Sequence, residues 1–120
     1  MVDYKYLVLK EEYTSEDGIP VRVFGFKDSK LTNDMLIYEL RDELDMESKQ
    51  EGAFERRYEF SLKGVEFISS SALECFMNFN RRLNDGIVGG DYLGFRDVSK
   101  EIFELFALTR LNRLWDVYLA

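Results

Sequence analysis

Between Tyr58 and Leu83 the apolar residues change their spacing, and that change limits the folds open to the chain. Tyr58, Phe60 and Leu62 alternate with Glu59, Ser61 and Lys63, the two-residue repeat of a half-buried strand. The phase then shifts at Gly64, so that Val65 and Phe67 become the apolar set, which predicts a bulge or a tight turn at the glycine. After Ser69-Ser70-Ser71, the residues Ala72, Leu73, Phe76, Met77 and Leu83 fall on one helical face, with Asn78, Arg81 and Arg82 opposite and Gly86 as a stop. A strand that runs straight into an amphipathic helix, with a second strand pattern "DYLGFRDV" after it, is the crossover unit of a parallel pair.

The flanking segments extend this alternation. "YKYLVLKEEY" from Tyr4 and "VRVFGF" from Val21 both read as strands, and "TSEDGIP" between them holds Asp17-Gly18 and the chain's one proline, Pro20, so the two form a hairpin. In "LTNDMLIYELRDELDMESKQEG", Leu36, Leu40 and Leu44 fall four apart with Ile37 beside them, which predicts a helix capped by Thr32 or Asn33. Glu39, Asp42, Glu43, Asp45 and Glu47 are assigned to its solvated side. Ser99 caps a further helix, "KEIFELFALTRL", with Ile102, Leu105 and Phe106 as its apolar stripe, and "NRLWDVY" closes the chain as a short element. The order β, β, α, β, α, β, α predicts an α/β fold, a mixed sheet with helices packed on it. At 120 residues, 46% of them hydrophobic, residues 1–120 are expected to form one domain with its own core.

Composition removes whole classes of function. There is no histidine, which takes away the commonest general acid or base and the commonest metal ligand, and with them hydrolase triads and zinc sites. The lone cysteine, Cys75, forms no intramolecular disulfide and no thiolate cluster; beside Leu73 and Phe76 it reads as a small buried hydrophobe. A net charge of −7 gives phosphates no attractive field, which argues against DNA, RNA and anionic membranes as partners. The Arg56-Arg57 and Arg81-Arg82 pairs read as solvated faces or ion pairs. No run approaches 18 apolar residues and the start has no signal-peptide pattern, so a cytoplasmic protein without membrane insertion is expected. "GIVGGDYLGF" is neither a dinucleotide fingerprint nor a P-loop and reads as a turn. Trp115 and Phe95 read as core, and no cofactor or metal is implied.

The three serines admit two readings. Ser71 and Glu74 fit the S-x-x-E capping box, in which the hydroxyl accepts from the N3 amide and the glutamate reaches back. The turn also lies at the carboxyl end of a strand, where functional loops of α/β sheets gather, and a helix N-terminus there suits an anion. Residues alone leave both open.

Taken together, "YEFSLKGVEFISSSALECFMNFNRRL" and "VSKEIFELFALTRLNRLWDVY" resemble a STAS domain, the module shared by anti-sigma factor antagonists and the cytosolic tails of sulfate transporters. Gly64, Val65, Phe67 and Ile68 match its Gly-Val-x-Phe-Ile step; Ser69 to Leu73 occupy its Asp-Ser-Ser-Gly-Leu switch; Leu108-Thr109-Arg110-Leu111, with Leu114-Trp115, matches its ending. The resemblance implies a STAS fold, a mixed four- to five-stranded sheet with helices mainly on one face, and a protein-binding switch. It makes Ser70 the candidate phosphoacceptor of a partner that is both anti-sigma factor and serine kinase, with Ser69, Ser71 and Ala72 as the switch loop. Ser69 stands where the family carries aspartate and Ala72 where it carries glycine.

The expected function is thus a non-enzymatic regulator that binds an anti-sigma factor or serine kinase. Lys27, Asp28, Ser29, Lys30, Leu31 and Thr32, before the first helix, are the candidate second contact. The alternative is a small-molecule sensor or scaffold, binding a nucleotide or apolar ligand, with purely structural serines; an aromatic-lined pocket would favour it. Whether the chain forms a homodimer is left open.

Overall fold

The computed structural model describes residues 3–84 and 93–120. In chain order the elements are β1 (Leu7–Thr14), β2 (Pro20–Phe26), β3 (Lys30–Leu31), α1 (Asp34–Ser48), β4 (Arg57–Ser61), β5 (Phe67–Ile68), α2 (Ser70–Asn84), β6 (Leu93–Val98), α3 (Lys100–Leu108) and β7 (Asp116–Leu119), with 3₁₀ turns at Ala53–Glu55 and Leu111–Arg113. Five strands form one mixed sheet in the order β1-β2-β4-β6-β7. The β1–β2 hairpin is antiparallel; β4, β6 and β7 each pair in parallel, reached by α1, α2 and α3 in turn. The predicted hairpin turn is closed by Ser15, whose amide donates to the Ile19 carbonyl, with Gly18 at φ +82°. That angle is cheap for glycine and costly for other residues.

The helices lie on one face. Phe24, Tyr58, Phe60 and Phe95 project from the central strands toward Phe76 and Phe79 of α2 and Phe106 of α3, and Trp115 packs on Phe95. Among the described residues no helix covers the other face, which carries polar side chains: Arg96 pairs with Glu11 and Glu59, and Arg57 with Asp17. Phe95 and Trp115 are core, and so is Cys75, as expected.

Three expectations are corrected. Met77 is more than a third exposed, because Phe76, Phe79 and Leu83 centre the buried stripe of α2 and leave Met77 at its margin. Phe67 is 57% exposed: β5 has only two residues and pairs with the equally short β3, and the Lys30 side chain over its ring covers it only in part. The short closing element expected from "NRLWDVY" is there, a 3₁₀ turn followed by β7, an edge strand of the sheet. Glu43 and Glu47 are not on the solvated side of α1 but buried, at 8% and 2% exposure. Each follows a core leucine by three residues, Leu40 and Leu44, and so shares its face. Glu47 accepts from the Tyr4 and Tyr58 phenols and pairs with Arg22 and Arg56, which also answers for one of the two arginine pairs. Burial first, then Glu47, holds both phenols well above their ordinary range, so they stay protonated donors. The stop expected at Gly86 and the glycine-rich turn lie outside the described residues, as does the start of "DYLGFRDV".

Candidate docking site

Gly64 ends β4. At φ +82° it sits in a turn closed from the Val65 amide to the Leu62 carbonyl, and this throws the chain out of the main sheet before β5 begins. β5 then pairs with β3. Lys30 lies beside Phe67 and Leu31 beside Ile68 in a parallel ladder. Around it the Glu66 and Phe67 amides donate to the Ser29 carbonyl at 2.7 and 3.3 Å, and the Ser69 amide to the Leu31 carbonyl at 3.0 Å. The ladder therefore brings together the two segments expected to contact a partner, 27–32 and 69–71. Neither two-residue strand was visible in the sequence, because two residues carry no period to read.

Since β3 and β5 run in parallel and each leads directly into a helix, α1 and α2 start side by side and run the same way. Cys75 against the Ile37 carbonyl near their starts, and Arg82 paired with Asp45 toward their ends, hold them in that register. Asn33 caps α1, its side-chain oxygen accepting from the Met35 and Leu36 amides, as one of the two expected caps. In α2 the cap is Ser69. Its hydroxyl oxygen accepts from the Ala72 amide at 3.2 Å and its carbonyl from the Leu73 amide. The expected capping box of Ser71 and Glu74 is not formed: the pinned Ser69 amide starts the helix two residues earlier, which places Ser71 inside the first turn and leaves Glu74 exposed.

The three serines thereby separate. Ser69 is occupied as a cap, and Ser70 and Ser71 are exposed at the first two helical positions. Ala72 is fully buried in an ordinary helical conformation, so nothing at that position calls for glycine. The α2 first turn carries no acidic residue, and the positive end of the helix dipole is left to whatever the serines carry. Ser69→Ala should destabilise the fold by about 1 kcal/mol through loss of the cap, measured by urea denaturation; an unchanged midpoint would mean that water replaces the hydroxyl at no cost.

In the other segment, Leu31 is fully buried and anchors the ladder rather than offering surface. Lys27 turns the opposite way, its ammonium donating to the Tyr4 carbonyl at 3.0 Å. Ser29, Lys30 and Thr32 are exposed, and the Lys30 ammonium stands 5.7 Å from the centre of the Phe67 ring. Exposed Phe67 and Met35, 57% and 69%, add apolar surface at this end that sequence reasoning missed. For Phe67 the available signal was its place two residues past the Gly64 turn, where the strand is already leaving the sheet.

Little here supports bond-making chemistry. Burial pushes the Cys75 thiol up, away from a reactive thiolate. Among the described residues no group of three or more acidic or thiol side chains could hold a metal ion, and no helix is long and apolar enough to cross a membrane. The best-formed grooves, 250–360 Å³, are open to solvent, and none is lined by the serines.

No family model and no curated protein matches the chain. Among solved structures it is similar to an anti-sigma-factor antagonist (STAS) domain protein from Planctomyces limnophilus, with a TM-score of 0.69 and 22% identity over 83% of this chain and 82% of that one. It is also similar to a Thermotoga maritima protein provisionally assigned as an anti-sigma factor antagonist, with a TM-score of 0.63 and 17% identity over 92% of this chain and 86% of that one. At these identities the likeness is one of fold. The chain has the STAS fold.

Proposed function

We propose that the chain is a non-enzymatic regulatory domain of the anti-sigma factor antagonist type, which acts in the cytoplasm by docking an anti-sigma factor or related serine kinase on the β3–β5 surface. The observation that supports this reading is the ladder itself, which joins two segments far apart in sequence and leaves Ser29, Lys30, Thr32, Ser70 and Ser71 exposed around it.

Phosphorylation of Ser70 fits this geometry as a switch. A phosphoryl group at the first position of α2 gains from the helix dipole, so the fold tolerates it without rearrangement. The same group adds about −1.5 to −2 charges to a surface that presents Phe67, Met35, Lys30 and the hydroxyls of Ser29, Thr32 and Ser71, and a partner shaped to the neutral serine has to desolvate that charge. The absence of the family's aspartate does not undo the turn, because Ser69 supplies the cap.

The test uses intact-mass spectrometry and a binding titration with anti-sigma factor kinases and ATP. Wild type should gain one phosphate and lose affinity tenfold or more; Ser70→Ala should bind without gaining phosphate, and Ser70→Asp should bind weakly. A phosphate that persists in Ser70→Ala moves the switch to another residue. Binding indifferent to both substitutions removes Ser70 from the interface.

A further inference from the structure

Tyr4, Lys5 and Tyr6, just before β1, lie across α1 and are held there by three glutamates one helical turn apart. The Glu43 carboxylate accepts from three consecutive backbone amides, Lys5 at 3.0 Å, Tyr6 at 3.1 Å to both oxygens, and Leu7 at 3.0 Å. On one side the Tyr4 phenol donates to Glu47 at 2.9 Å; on the other the Tyr6 phenol and the Lys5 ammonium reach Glu39 at 3.3 Å. A buried carboxylate filled by successive amides makes charge-assisted bonds, the strong kind, and here they tie an N-terminal strap to a helix.

The strap is joined to the candidate docking surface as well. The Lys27 amide donates to the Tyr6 carbonyl at 3.1 Å, and its ammonium to the Tyr4 carbonyl. Two residues on, the Ser29 carbonyl takes the Glu66 and Phe67 amides, and the Leu31 carbonyl takes the amide of Ser69. Strap, segment 27–32 and serine turn are one hydrogen-bonded series. The far end of segment 27–32 runs into α1 through the Asn33 cap, so the helix that grips the strap also carries the surface.

We propose that residues 4–6 are a conformational latch: seated on Glu43 they fix the β3–β5 surface, and released they loosen it, so that whatever engages the strap sets the affinity of that surface for its partner. Release gives up these bonds and also exposes the Tyr4 and Tyr6 rings, each only 9% exposed when seated, so a ligand of the strap shifts the equilibrium only if it offsets both. The consequence for partner binding rests on the docking reading above, whereas the coupling between strap and ladder does not.

The test is amide hydrogen exchange on the whole chain, for wild type, Glu43→Gln and Tyr4→Phe. In Glu43→Gln the side-chain amide replaces an acceptor oxygen, and the amides of Lys5, Tyr6 and Leu7 should exchange at least tenfold faster. The amides of Glu66, Phe67 and Ser69 should follow by roughly 5- to 150-fold, the usual range of coupling between sites, while β6 and α3 keep wild-type rates. If Glu43→Gln loosens every amide together, Tyr4→Phe decides, since it deletes one bond to Glu47 and should accelerate strap and ladder without the rest. Strap amides that accelerate while Glu66, Phe67 and Ser69 do not would overturn the latch, as would strap amides indifferent to Glu43→Gln. Coupled exchange with unchanged partner affinity instead retains the latch and removes the docking reading.

Discussion

Glu47→Ala should destabilise the chain by about 3–5 kcal/mol, a large share of the 5–15 kcal/mol that holds a domain of this size folded. The carboxylate is 2% exposed and lies 2.7 Å from Arg22 and 3.3 Å from Arg56, whose side chains are themselves only 20% and 13% exposed. The Tyr4 and Tyr58 phenols donate to the same group, at 2.9 and 2.8 Å. Removing it leaves two guanidinium groups and two hydroxyls without the acceptor around which they are placed, and an unpaired buried polar group costs more than a lost contact. Burial lowers the proton affinity of Arg22, yet Glu47 and then Glu12 outweigh it and hold the guanidinium above its usual range, as expected for a cation positioned by carboxylates. Glu12, 3.4 Å from Arg22, keeps part of that cation's charge compensated in the variant, which places the loss toward the lower end of the range. Glu47→Gln keeps an acceptor for the phenols and should lose less. Urea titration at constant m-value measures both. A loss below 1 kcal/mol for Glu47→Ala would show that water reaches the pocket and screens the arginines.

Why this group escaped a reading of the sequence is instructive. The leucine spacing of α1 identified the helix, its buried face and one of two candidate caps, because a period of 3.6 over fifteen residues is a strong signal. The same wheel places Glu43 and Glu47 beside Leu40 and Leu44, yet a charged residue is assigned to solvent unless its partners are known. Those partners, Arg22, Arg56, Tyr58 and the strap amides, are brought up by the sheet and not by neighbouring sequence. The strands β4 and β6 and the β1–β2 hairpin were readable from alternation and turn chemistry. β3 and β5 were not, although they create the candidate site, because each is two residues long and exists only through the other. In the serine turn the composition pointed to a cap, but which serine takes the role depends on where β5 lets the helix begin, and a hydrogen bond from Ser69 to Leu31 decides that. The helix order and its apolar faces are thus local properties, whereas the surface and the buried charges are made by pairing across the chain.

Phe60→Ala should cost about 3–5 kcal/mol, the usual price of emptying a large aromatic site in a packed core. Phe60 is fully buried on β4, in the middle of the five-stranded sheet, and its ring stands 4.9–6.4 Å from those of Phe24, Phe26, Phe76, Phe79 and Phe95. Rings from β2, β6 and α2 thus share it, so no single element can move to fill the void, and the cavity term stays high. Phe67, seven residues later, is the informative contrast. Its ring is 57% exposed and covered only by Lys30, so Phe67→Ala should change stability by less than about 0.5 kcal/mol. If the β3–β5 surface docks a partner, that same substitution should weaken binding, since truncating an aromatic anchor in an interface typically costs more than 1 kcal/mol. Denaturation and titration of the two variants therefore separate the aromatics that hold the fold from the one that faces outward. A Phe67→Ala variant that binds as well as wild type would move the interface away from β5, and a Phe60→Ala variant within 1 kcal/mol of wild type would mean that the core repacks around the missing ring.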